Sequence, residues 1–269
     1  ASVMNQSFWL ILLVLPVTAC QDGGQSEAGT APPVEPSRTA PATDHHSPAI
    51  AAVFEAHGGY ERWANMKSLS YEMANGERHL VALQHRETLI EGGDYRLGFD
   101  GEQLWVAPDT AGVNRPWFYY NLMFYFYAMP FVVGDPGVHY EAVPATELLG
   151  QPYEGIKISY DAGVGASPDD NYIVYYHPDT RRMAWLMYTV TFGQDGPSDD
   201  YSLIHYQDWQ EVNGLLLPAA LQWYQYADGA VVNPRGEPRT FTNVRISETA
   251  PPADSFAKPE GATVVPPPR

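Results

Sequence analysis

The chain has 269 residues, with 32 acidic against 15 basic side chains and a formal net charge of -17. That charge argues against a partner built on phosphates, a nucleic acid or an anionic membrane face, because it repels them. At 45% hydrophobic and 13% aromatic but only 17% charged, the chain has more large apolar surface to hide than an ordinary soluble protein, which predicts a big core or an apolar cavity. Cys20 is the only cysteine, so neither an intramolecular disulfide nor a Cys/His metal cluster can form, and no metal or other cofactor is expected.

Phe8 to Cys20 reads FWLILLVLPVTAC, a short apolar core ending in small side chains, which is the pattern of a secretory signal and too short for a stable transmembrane helix. Met4 reads as its start, and no Lys or Arg stands before Phe8, although signal n-regions are usually basic. Val17-Thr-Ala-Cys20 resembles the bacterial lipobox, in which the cysteine is lipidated and the preceding residues are removed. The resemblance implies a signal peptide over 1–19, lipid attachment at Cys20, and a membrane as partner through that anchor. Gln21 rather than Asp after the cysteine implies the outer membrane, on its periplasmic side. Residues 20–47 are rich in Pro, Gly, Ser and Ala, cannot bury enough apolar surface to offset ordering, and read as a flexible tether. One domain is then expected over 48–269.

Ser47 to Ala56 predicts a short helix capped by Ser47, with Pro48 in its first turn and Ile50, Val53 and Phe54 at helical spacing. Gly58-Gly59 ends it, and Tyr60 to Met66 predicts a second helical turn. From Leu69 the period changes to that of strands. Asn75-Gly76 and Asp100-Gly101 are hairpin turns, because both dipeptides tolerate positive φ. Strands are expected over 69–74, 95–99, 102–106, 153–160, 172–176, 183–192, 201–209, 220–226 and 240–246. In the strand from Met183, alternation puts Met183, Trp185 and Met187 on one face and Leu186, Tyr188, Val190 and Phe192 on the other. Both faces are apolar, so this strand is sandwiched between layers or lines a cavity.

Pro116 to Val133 carries no charge and is aromatic on every side of a helical wheel, so it predicts a helix, or two short ones, buried all round. Its tyrosines and Pro130 argue against a membrane span and for a plug laid across a curved sheet. The expected fold is therefore mainly β (α+β), an open antiparallel half-barrel with helices covering its concave face.

Three stretches resemble the periplasmic lipoprotein carrier LolA and its outer-membrane receptor relative LolB. Tyr95 to Pro108 (YRLGFDGEQLWVAP) resembles their strand, Asp-Gly turn, Leu-Trp strand and proline. Tyr175 to Leu186 (YYHPDTRRMAWL) is similar to their strand, turn and strand, and Phe241 to Ile246 followed by Pro252 to Val265 resembles their last strand and tail. The likeness spans Ser47 to Val265 in layout. A group of uncharacterised bacterial lipoproteins shares more specific pieces, among them His57-Gly-Gly-Tyr-Glu-Arg-Trp63, Asn121-Leu-Met-Phe-Tyr-Phe126 and Gly214-Leu-Leu-Leu-Pro218. What the resemblance implies is an acyl chain held between sheet and lid, in lipoprotein or lipid trafficking.

The sequence carries no nucleophile elbow, zinc-protease, phosphate-loop or dinucleotide motif, so no catalysis is expected. Asp169-Asp170 and Asp199-Asp200 read as solvated turns, and His57 as a cation favoured at a helix C-terminus. The candidate site is apolar: Trp105, Trp117, Phe124, Phe126, Met129, Phe131, Trp185, Met187, Trp209 and Trp223 as the lining for an acyl chain or other apolar small molecule, with methionines adapting to variable chains. Two other readings stand beside it: an envelope hydrolase using His139 and nearby acids, and a structural or interaction lipoprotein whose core is filled. The protein partner is left open.

Overall fold

The computed structural model describes residues 45–108, 112–161, 170–191, 198 and 200–267. They belong to the second of two units, Ala31–Arg269. The signal peptide, Cys20 and all but the end of the tether lie outside the described residues.

Helix α1 (Pro48–Ala56) begins where its cap dictates, with the Ser47 side chain accepting from the Ile50 amide and Pro48 in the first turn. Gly58 (φ 103°) and Gly59 (φ 92°) then turn the chain into α2 (Tyr60–Asn65). A Cβ on Gly58 would stand 2.1 Å from the Gly214 carbonyl oxygen, so this position needs glycine for its φ and for its contact. Strands β1 (Ser68–Met73), β2 (Arg78–Ala82), β3 (Thr88–Glu91), β4 (Arg96–Phe99) and β5 (Leu104–Ala107) follow as hairpins. Next come helix α3 (Pro116–Tyr127) and a 3-10 turn, Phe131–Gly134.

The second series comprises β6 (Val138–Leu148), β7 (Gln151–Tyr160), β8 (Tyr172–Tyr176), β9 (Met183–Tyr188), β10 (Ser202–Val212), β11 (Leu215–Ala227), β12 (Ala230–Pro234) and β13 (Arg239–Ser247). A 3-10 turn at Ala253–Phe256 and the short β14 (Thr263–Val265) complete the described chain. The strands form a single 14-stranded sheet in the order β14-β5-β4-β3-β2-β1-β13-β11-β10-β9-β8-β7-β6, with β12 added to β11. Each pairing is antiparallel. β13 joins the two series: its first residues pair with β11 at Ala220 and Leu221, and the remainder with β1. The sheet is open, ending at β14 on one side and β6 on the other, which is the expected half-barrel with helices on one face.

That helix-covered face carries the main core. Leu69, Tyr71, Val81, Ile156, Val174, Leu186, Ile204, Leu217 and Phe241 from the strands pack with Phe54, Trp63, Met123, Phe124, Tyr127 and Phe131 from the helical segments. The opposite face has apolar clusters of its own. One joins Trp185, Met187, Tyr175, Leu203 and Tyr153, and the other joins Trp105, Leu89 and Ala82 with Phe256 of the tail turn.

Several expectations need correction. β2, β3, β6, β12 and β14 were not among the expected strands, and β9 stops at Tyr188 rather than Phe192. Met183 does not share a face with Trp185: the pairing slips between Tyr175 and Tyr176, Tyr176 opposes Met183, and Met183 turns into the core with Leu186 and Tyr188. Helix α3 is not buried all round, since Leu122, Tyr125 and its first five residues are half-buried, and fully buried sequence runs only from Phe126 to Gly134. No helix of the described residues is long and apolar enough to cross a membrane.

Candidate functional site

The site is the layer between α3, with the 3-10 turn behind it, and the sheet. From the helical side Phe124, Phe126, Met129 and Phe131 are all buried. Phe126 lies 4.9 Å from the Tyr188 ring and 5.7 Å from Trp223, whose indole N-H donates to the Tyr188 hydroxyl at 3.0 Å. Phe131 stacks on Trp63 at 5.0 Å, 9° from parallel. Trp209 reaches the same layer, packed on Tyr206 and 4.5 Å from the His57 ring. Tyr127 sits 4.5 Å from both Tyr71 and Phe241. Rings therefore occupy this layer at contact distance, and their apolar contacts dominate its energetics.

Of the expected lining residues, Phe124, Phe126, Met129, Phe131, Trp209 and Trp223 are brought together here. Trp117 lies farther out, against Phe99 and Tyr120, with its indole N-H on the Val265 and Pro266 carbonyls. Trp105, Trp185 and Met187 are not in this layer. Trp105 lies on the opposite face, donating to the Phe256 carbonyl at 3.0 Å, and Gly98 leaves room for its indole, which a Cβ there would meet at 2.1 Å. Trp185 stacks on His205 at 4.2 Å, with Met187 beside it.

The sequence reading missed the polar groups that hold α3 down. The Glu77 carboxylate accepts from the Tyr119 hydroxyl at 2.7 and 2.8 Å and from the Tyr95 hydroxyl at 2.7 Å, and His79 Nε2 lies 3.1 Å from it. The other ring nitrogen, Nδ1, lies 3.3 Å from the Tyr71 hydroxyl. Burial pushes the Glu77 pKa up, but the hydrogen bonds from His79, Tyr119 and Tyr95 outweigh it and hold the group down at about 2. Burial and the neighbouring Glu77 push the Tyr119 hydroxyl far up, so it stays a donor. The available signal was the spacing: Glu77 and His79, two apart in an extended segment, must share a face.

Beyond the other end of β2, Arg86 Nη2 meets Asp135 Oδ2 at 2.5 Å, and its guanidinium lies 4.8 Å over the Phe124 ring. The Tyr60 hydroxyl donates to the other Asp135 oxygen at 3.3 Å. Two backbone carbonyls of the cover are also taken: Tyr206 donates to Phe126 and Tyr140 to Val133, both at 2.6 Å. Among the lid tyrosines, Tyr119 finds a polar partner, whereas the buried Tyr127 hydroxyl has none among the described residues.

His57 is not a helix-end cation. It is fully buried, its Nδ1 donates to the Val53 carbonyl at 2.8 Å, and burial lowers its pKa to about 4. Asp170 is no solvated turn residue: it is buried and accepts from the Thr191 amide and hydroxyl. Asp169 and Asp199 lie outside the described residues. His139 sits on edge strand β6 opposite Ser159 and pairs with Asp161 at 2.6 Å, with both side chains more than half exposed. That exposure gives the pair neither the enclosure nor the dry surroundings in which acid-base groups gain leverage. Among the described residues, no group of three or more His, Cys, Asp or Glu could hold a metal ion.

No protein-family model matches the chain, and no curated protein does. Solved structures similar to it include a LolA superfamily protein and a DUF1329 family protein. A LolA superfamily protein from Nitrosomonas europaea is 8% identical, with 72% of this chain and 89% of that one covered and a TM-score of 0.35. A DUF1329 family protein from Desulfovibrio piger is 11% identical, with 79% and 98% covered and a TM-score of 0.42. The functional reading rests on this chain's own residues.

Proposed function

We propose that this is a lipid-anchored protein of the bacterial envelope that binds an acyl chain, or another apolar molecule of similar shape, between α3 and the sheet, without catalysis. The observation that carries the reading is how the cover is fastened. Residues flanking β2 hold it through Glu77-Tyr119 and Arg86-Asp135, while the surface it covers is made of rings and aliphatic side chains. Buried ionic and hydrogen-bonded pairs add little net stability, because desolvation offsets their attraction, yet they fix one geometry. Ring contacts are apolar, and an acyl chain can replace them at similar cost per area. A cover held by directional pairs over an exchangeable apolar layer is suited to opening and closing on a lipid. Attachment through Cys20, on the periplasmic side of the outer membrane, would place that layer beside a bilayer, with the tether setting its reach.

The experiment is titration of the full chain with cis-parinaric acid, followed by its fluorescence. Saturable binding that weakens in Phe126→Ala and Trp223→Ala supports the proposal, and binding unaffected by both contradicts it. The ring contacts also favour a second reading, a packed domain that presents surface to a protein partner. That reading predicts no saturable binding to any of the three proteins.

A further inference from the structure

On the face opposite α3, the β2-β3 turn, the β4-β5 turn and the tail border a half-open cavity of about 420 Å³. Three carboxylates line it, Glu87, Asp100 and Glu102, with Lys67 as the one lysine among its lining residues. None of these four side chains makes an ion pair among the described residues. Glu87 Oε2 is shielded from solvent and has no hydrogen-bond partner among the described residues, a condition that costs free energy until a donor arrives. The space stays open because the tail contributes Ala250, Ala253 and Ala257 where larger side chains would fill it, and Phe256 supplies an apolar wall. A volume of this size holds a small organic molecule and far exceeds one ion.

We propose that this cavity binds a small organic cation, an alkylammonium whose head meets Glu87 and the neighbouring carboxylates and whose stem lies on Phe256. The excess of carboxylate over ammonium in the lining selects the positive head, and the chain's net charge of -17 draws such cations in. The site is separate from the acyl layer: two of its lining residues, Ala82 and Phe256, belong to the apolar cluster on the face opposite α3.

Calorimetric titration of the full chain with hexylammonium chloride tests this, with n-hexanol as the uncharged control of the same stem. Saturable hexylammonium binding at least about tenfold tighter than n-hexanol is expected, weakening in high salt. Glu87→Gln lowers the affinity about fivefold or more, and Ala253→Leu removes binding by filling the space. Should Ala253→Leu misfold, Glu87→Gln decides alone, since it keeps the shape of the side chain. Equal binding of hexylammonium and n-hexanol, no binding of either, or affinity unchanged in Glu87→Gln overturns the proposal. Tyr119→Phe, on the other face, leaves hexylammonium binding as it was, and a change there would move the amine to the lid and overturn this site.

Discussion

The Tyr119 hydroxyl donates across 2.7 Å to a Glu77 carboxylate oxygen 42 residues earlier in the chain, tying helix α3 to the turn that opens β2. Removing that donor leaves a buried carboxylate short of one partner, which costs about 1–3 kcal/mol. Tyr119→Phe should lower stability by that amount in urea titration and speed the uptake of cis-parinaric acid. A loss of stability with unchanged uptake would make Tyr119 a core residue only.

Acid tests the same group. Glu77 is held down at about 2 against an ordinary value of 4.5, so the unfolded chain binds the proton first as the pH falls. Its contribution is complete above the unfolded value and is lost as the pH drops from 4.5 towards 2. Unfolding free energy measured across that window should fall less steeply in Glu77→Gln than in the wild type.

The neutral histidines act higher on the pH scale. His57 is lowered by burial from 6.5 to about 4, so between those values the unfolded state takes up a proton the folded state refuses. Stability is present above 6.5 and is lost as the pH falls towards 4, by about 2 kcal/mol at pH 5 for this one fully buried group. His205, lowered by burial to about 4 as well, adds in the same direction. His57→Leu should shrink the difference between urea midpoints at pH 7 and pH 5, and an unchanged difference would mean that His57 does not titrate this way.

Arg86 and Asp135 form a part-buried pair, with Arg86 the deeper of the two. Arg86→Met removes the charged partner of the carboxylate and should cost about 1–3 kcal/mol, whereas Arg86→Met with Asp135→Leu should recover much of that. A double-mutant cycle on thermal unfolding measures the coupling, and additive losses would contradict the pairing.

The two faces of the sheet make a control. Trp105→Phe and Trp185→Phe should destabilise the fold while leaving the affinity for cis-parinaric acid unchanged, because both indoles lie away from α3. Gly58→Ala should be among the most damaging small changes, since its Cβ meets the Gly214 carbonyl at 2.1 Å and its φ is 103°.

Local chemistry made much of the fold legible. Ser47 and Pro48 mark a helix start, Asn75-Gly76 and Asp100-Gly101 mark turns, and the uncharged run from Pro116 can only be a cover. β6 was hidden because an edge strand need not alternate cleanly: it contains Pro144, Glu141 and Glu147 and is largely exposed. Trp185 and Trp105 looked like cavity residues because alternation reveals two apolar faces but not which one the helices take. Glu77 could not be assigned a role from sequence, since its partners Tyr95 and Tyr119 come from 18 and 42 residues away and meet it only in the fold. The slip at Tyr175 and Tyr176 that turns Met183 inward has no local marker either.

The central claim is that the ring layer under α3 exchanges for an acyl chain. Mass spectrometry of lipid carried by the full chain, purified without added lipid, tests it most directly. The account predicts about one acyl-chain molecule per protein, displaced by cis-parinaric acid and lost in Phe126→Ala combined with Trp223→Ala. A lipid-free wild type that also fails to take up cis-parinaric acid would contradict it.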